Sequence, residues 1–106
     1  MFGGAIIVAM TWFIVDTTYT TDRERLLASR PAHREYLSGL VGAGTVVAAG
    51  PWGDDLGGMF IASVADRAEL DALLAEDPYR RDGVVAAQSV REWKPVLGKL
   101  AEQAGQ

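Results

Sequence analysis

Three stretches of the chain, Trp12–Val15, Val46–Ala49 and Met59–Ala62, are apolar at successive positions. Their β-branched and aromatic content suits strands. A strand with one face in water alternates instead, because its side chains point to opposite faces with a period of two. These strands therefore need cover on both faces, and the rest of the chain has to supply it or borrow it.

The first strand is expected from about Met10 to Tyr19, ended by Thr20, Thr21 and Asp22. Arg23 to Ala28 reads as a short helical turn. Pro31 marks the expected start of the first helix, since proline suits the first helical position and damages an interior one. Ala32, Tyr36, Leu37, Leu40 and Val41 then recur with helical period until Gly42 and Gly44. A second strand, Thr45 to Ala49, closes at Gly50-Pro51, and Trp52 to Gly58 is a loop dense in turn formers. Met59 to Val64 is the third strand. Asp66 with Glu69 three residues on forms a capping box for a second helix that buries Leu70, Leu73 and Leu74 and stops at Asp77-Pro78. The fourth strand runs from about Val84 to Trp93, followed by a frayed helical tail within residues 96–106.

The order is β-α-β-β-α-β, the split βαβ pattern of ferredoxin-like α+β domains. Right-handed crossovers put both helices on one face of a four-stranded antiparallel sheet. The other face has no cover, and a second copy of the sheet is the simplest one. A sheet-to-sheet homodimer is expected, its apolar layer contributing roughly 25 cal/mol per Å² before association costs.

At 106 residues there is room for one domain. Ala5 to Val15 is apolar but lacks a basic flank and falls short of the ~20 residues a membrane helix needs. Residues 1–9 read as an N-terminal extension, with Met10 as an alternative start. A net charge of −4 supplies no basic field for nucleic acid or an anionic membrane. There is no cysteine and one histidine, which removes thiolate chemistry and any site of three imidazoles in one chain. A cytoplasmic protein without metal or cofactor is expected. Gly50-Pro51 and Gly57-Gly58 do not match a phosphate-binding loop, which needs another spacing and a lysine.

Several short motifs occur in a telling order: Arg30-Pro31-Ala32-His33, Gly44 leading to Ala49-Gly50-Pro51, Asp77-Pro78-Tyr79, Gly83-Val84, Ser89-Val90 and Trp93. Together, over about Met10 to Val96, they resemble the YCII-related proteins. The resemblance implies a ferredoxin-like fold of the dimeric α/β-barrel superfamily and a histidine–aspartate pair as active site, which maps onto His33 and Asp77. Characterised members of that family include a dehydrochlorinase acting on a chlorinated aromatic. The superfamily also holds muconolactone isomerase and cofactor-independent monooxygenases. The sequence departs from the pattern in its N-terminal extension, its Gly-rich loop after Pro51 and Trp93.

His33, two residues after Pro31, is expected in the first helical turn, with Leu37 and Leu40 at helical spacings turning its ring toward the sheet. The positive end of the helix dipole there disfavours an imidazolium. A neutral imidazole accepts a proton or hydrogen-bonds a substrate oxygen. Asp77 is either the orienter of His33 or a turn residue whose carboxylate serves backbone amides. Arg30 reaches an anionic substrate group or pairs with Glu35 or Asp22. Ser89, mid-strand, needs a partner for its hydroxyl, whether substrate or backbone. Gly50 and Pro51 shape the pocket rim, and Trp52 is a lid over the cleft or part of the dimer contact. The leading expectation is a lyase or isomerase moving protons on a cyclic, oxygenated small molecule in the dimer cleft. A non-catalytic binding module is the alternative, and a monooxygenase a third reading resting on fold analogy.

Overall fold

The computed structural model describes residues 9–104, so the expected extension lies, but for Ala9, outside the described residues. Strands β1 (Thr11–Tyr19), β2 (Val46–Pro51), β3 (Gly57–Val64) and β4 (Val85–Glu92) form one antiparallel sheet in the order β2-β3-β1-β4. Helix α1 (Arg23–Gly42) links β1 to β2, and α2 (Arg67–Ala75) with the short α3 (Pro78–Arg81) links β3 to β4. This is the expected ferredoxin-like α+β arrangement.

Helix α1 departs from expectation. It is one 20-residue helix with Asp22 as N-cap, the Asp22 carboxylate accepting from the Arg25 amide at 3.1 Å, and it runs straight through Pro31. Proline at this point leaves the Leu27 carbonyl without its helical donor. Leu27 and Pro31 are both exposed, so water can serve that carbonyl. An Asx cap at Asp22, with Thr20 Oγ1 in turn accepting from the Asp22 amide, fixed the start eight residues before Pro31. Asp66 caps α2 as expected, accepting from the Glu69 amide, while Glu69 reaches back to the Ala65 amide.

Phe13, Val15, Phe60, Ala62 and Val64 on one face of the sheet pack with Leu37, Leu70 and Leu74 of the helices. Tyr36 of α1 donates to the Leu73 carbonyl of α2 and ties the helices together. On the other face Trp12, Ile14, Met59 and Ile61 form an apolar centre, bordered by Asp16, Thr18, Ser89 and Arg91. Trp12 and Ile61 are buried already within one chain. Trp93 lies against Trp12, and the tail holds a short helix α4 (Lys99–Gln103) whose Ala101 is buried. The chain's own C-terminal segment thus supplies part of the cover that a second sheet was expected to provide. No helix among the described residues is long and apolar enough to cross a membrane.

Candidate active site

Asp77 interrupts the connection between α2 and α3, and its side chain is buried. Its Oδ1 accepts from the Tyr79 amide at 2.9 Å, so it is the N-cap of α3, with Pro78 at the first helical position. The same oxygen lies 2.7 Å from His33 Nδ1. The two readings of Asp77, turn residue and orienter of His33, are therefore one arrangement: the cap holds the carboxylate still, and the held carboxylate faces the imidazole. No sequence pattern puts these residues together, since they are 44 positions apart. Contacts between α1 and α3 do so, including the Ser29 hydroxyl donating to Asp82 at 2.8 Å. That hydrogen bond, with Arg81, keeps the Asp82 carboxyl below its ordinary range.

Because α1 begins at Arg23, His33 lies in the middle of the helix. The dipole argument for a neutral imidazole does not apply there, as the effect is confined to the terminal turns. What fixes His33 is packing and Asp77. Its ring stacks on Tyr79, centroids 3.6 Å apart and planes parallel, and its side chain is only 14% exposed. Tyr79 is buried and meets Tyr19 edge-on at 5.4 Å. With Nδ1 committed to Asp77, Nε2 is the nitrogen left for a ligand.

Arg30 also lies inside α1 rather than before it, and its partner is neither Glu35 nor Asp22. Its guanidinium grips Asp55 with both terminal nitrogens, at 2.8 and 3.1 Å, and Nε donates to the Tyr79 hydroxyl at 3.0 Å. Asp55 sits at a loop tip with φ of 60°, a conformation rare outside glycine, and also pairs with Arg23 at 2.9 Å. Arg30, hydrogen-bonded to Asp55 and Tyr79, is held firmly in its charged form, and Arg30 with Arg23 lowers the Asp55 carboxyl to about 2. The fork that was expected to bind a substrate anion is used to hold Tyr79 against His33.

The sign of that shift sets an acid response. A carboxyl lowered in the fold stabilises it above its ordinary value near 3.8, and the contribution fades as pH falls toward about 2. Asp55→Asn should therefore flatten the loss of thermal stability between about pH 4 and pH 2 relative to the parent chain. Parallel melting curves across that window check this; identical acid slopes would show that the clamp contributes nothing.

His33, Asp77, Tyr79 and Arg30 line a pocket of about 430 Å³ between α1 and the helix-side face of the sheet, within the range of small-molecule sites, while Asp55 stands behind Arg30 outside the lining. It is built by one chain, whereas the cleft was expected between two. Gly50 and Pro51 are on its wall as expected, with Tyr19, Phe60 and Gly58. A methyl group on Gly58 would come within 2.6 Å of the Tyr19 hydroxyl and 2.9 Å of the Gly50 carbonyl oxygen, and one on Gly57 would run into the Thr17 carbonyl. Those glycines let β2, β3 and Tyr19 close in around the pocket. Burial raises the Tyr19 phenol, which keeps its proton at neutral pH and is a neutral donor there.

Two expected site residues lie elsewhere. Ser89 pairs with Asp16 across β4 and β1 and shares a separate recess with Ile14 and Trp93 on the sheet's other face. Strand alternation is the reason: Gln88, its neighbour, points to the helix side and donates to Thr17. Trp52 does not line the pocket either; it is 45% exposed, and its indole N–H points to Asp16 at 3.4 Å. Tyr79, Asp55, Tyr19 and Arg34 are the pocket residues and supports that sequence reasoning passed over. Tyr79 carried a signal in its adjacency to Asp77-Pro78; the others are brought in by long-range packing. Among the described residues no group of three or more His, Asp or Glu side chains is placed to hold a metal ion.

A search of the curated proteins returned no match. Among solved structures, the chain is similar to 5-chloro-2-hydroxyhydroquinone dehydrochlorinase (TftG) from Burkholderia phenoliruptrix AC1100, in complex with 2,5-dihydroxybenzoquinone. The TM-score is 0.68 at 22% identity, over 78% of this chain and 93% of that one, a likeness of fold. The profile of the YCII-related domain matches residues 10–94. With the match spanning most of its length, the chain belongs to the YCII-related domain family.

Proposed function

We propose that the chain is a cofactor-independent cytoplasmic enzyme that moves protons on a cyclic, oxygenated small molecule, with His33 as acid–base and Asp77 as its orienter. The observation that carries this reading is the 2.7 Å contact of His33 Nδ1 with a buried, amide-held Asp77 carboxylate at the wall of a pocket. A carboxylate on Nδ1 favours the tautomer with the proton on that nitrogen and leaves a lone pair on Nε2. Nε2 takes a proton from the substrate, and the electron pair of the broken bond forms a new π bond. In an elimination the leaving group departs with its bonding pair; in an isomerisation the imidazolium returns the proton at another atom. Asp77 stabilises the imidazolium in between. The dehydrochlorinase activity of the structural neighbour is one reaction of this type, which makes chlorinated and hydroxylated hydroquinones the first compounds to test.

The same reading has the protein acting as a homodimer joined through the half-buried Ile14 and Met59, beside the already covered Trp12 and Ile61, with Trp52 and Ser89 at its border. This supports a role for the two outlying residues in assembly rather than in chemistry.

The test is a screen of cyclic ketones, quinols and chlorinated hydroquinones in deuterated water, read by proton NMR and by chloride release. Exchange of a ring or α-proton, or conversion, is the expected result. Compounds that raise the melting temperature with neither exchange nor conversion would instead identify a binding module.

A further inference from the structure

Helix α1 turns one stripe toward the pocket: Arg30, His33, Arg34, Leu37, Ser38 and Val41 line it. Their spacings of three and four residues put them on one helical face. The stripe is graded. Its N-terminal half carries two guanidinium groups, and its C-terminal half carries Leu37 and Val41. A molecule filling this space meets cations at one end and an apolar surface at the other.

The two arginines are not equivalent. Arg30 has every nitrogen of its fork engaged by Asp55 and Tyr79. Arg34 makes no side-chain hydrogen bond or ion pair among the described residues. Its helical neighbours offer it no acid, since Arg30 and Pro31 precede it by four and three residues and Leu37 and Ser38 follow it. The carboxylates nearby are committed: Asp77 to His33 and the Tyr79 amide, Asp55 to Arg30 and Arg23. Arg34 is exposed to solvent and lines the pocket next to His33 and Leu37. Asp55 is shared by Arg30 and Arg23, Asp77 faces His33, and Arg34 has no acidic partner among the described residues. The whole chain carries −4, so this local charge opposes the overall field.

We propose that Arg34 is the recognition residue for an anionic oxygen, a carboxylate or an ionised ring hydroxyl, on an otherwise apolar small molecule. The anion anchors on the Arg34 fork, the apolar body lies along Leu37 and Val41, and the atoms beside the anion come to His33. This names the substrate class for the proton-transfer reading and rests on it, but recognition is measurable as binding alone.

Benzoate and its neutral isostere benzamide are the probes, with binding followed by ligand-observed NMR on the parent chain, Arg34→Gln and Arg34→Lys. Benzoate should bind the parent chain more tightly than benzamide. Arg34→Gln should weaken benzoate about 10-fold and leave benzamide unchanged, as for loss of a charge-assisted pair. Arg34→Lys should recover part of the loss, keeping the charge without the fork. Equal affinity of the two probes in the parent chain, equal loss of both in Arg34→Gln, or no binding of either would each overturn the proposal. Selective loss of benzoate with no compound ever turned over would keep the anion site and remove the catalytic reading. Turnover confined to neutral compounds, with no discrimination at Arg34, would remove the anion site alone.

Discussion

Replacing His33 by alanine is expected to lower turnover by about 10²- to 10⁴-fold, the contribution a positioned acid–base group makes, while the chain still folds. His33 is the only histidine, so no second imidazole can take over its role. The structural cost is limited because the ring lies at the pocket wall and is absent from the buried apolar clusters. Its removal takes away the stack on Tyr79 and one hydrogen bond to Asp77, and the Tyr79 amide still serves the same Asp77 oxygen. Water entering the enlarged pocket can replace the missing donor. A stability loss of about 1 kcal/mol is expected on that basis. Initial rates and thermal melting, measured on the same preparation, separate the two effects. A His33→Ala chain that folds and still converts substrate at the parent rate would move the proton acceptor elsewhere in the pocket, with the Asp77 carboxylate the next group to test.

The sheet was legible because its strands are apolar at successive positions; in the central β1 and β3 those runs lie largely buried, whereas the equally apolar β2 is an edge strand and mostly exposed. The order of the elements followed from turn formers at Gly50-Pro51 and Asp77-Pro78. The start of α1 was misread for a specific physical reason: proline's cost in a helix falls on one carbonyl, and an exposed carbonyl can be served by water. At Leu27 and Pro31 that cost was small enough for the Asp22 cap to prevail. The error carried into the site, since it placed His33 in the field of a helix terminus and Arg30 outside the helix. Ser89 was misassigned because the run Val84–Ala87 is apolar at both parities and hides which positions face the helices; only the register against β1 decides it. Trp52 was expected as a lid over the cleft or part of the dimer contact, and nothing in the local sequence turns it toward Asp16. His33 and Asp77 were brought together by the resemblance, whereas the Arg30–Asp55 clamp has no local signature. Its two members are 25 residues apart, and Asp55 takes its position through a backbone conformation that composition does not reveal.

Asp77 is the residue at which folding and chemistry should separate most clearly, because a single oxygen serves both. Asp77→Ala removes the cap of α3 and leaves the partly buried His33 Nδ1 and the buried Tyr79 amide without their shared acceptor. A loss of about 2 kcal/mol is expected from the missing cap and the unpaired groups together, along with loss of turnover. Asp77→Asn has a different outcome. Its amide oxygen can still accept from the Tyr79 amide, so α3 keeps its cap and most of the stability returns. Catalysis should not return with it. A neutral amide does not stabilise an imidazolium, and if its NH₂ group faces Nδ1, the ring must hold its proton on Nε2, where the substrate has to deliver one. Turnover should fall about 10²- to 10⁴-fold in this variant, as when a histidine loses the carboxylate that sets its tautomer. The nitrogen chemical shifts of the single imidazole report the tautomer without ambiguity, before and after the substitution. A tautomer that stays the same in Asp77→Asn, with turnover intact, would leave Asp77 only its structural half, the N-cap of α3.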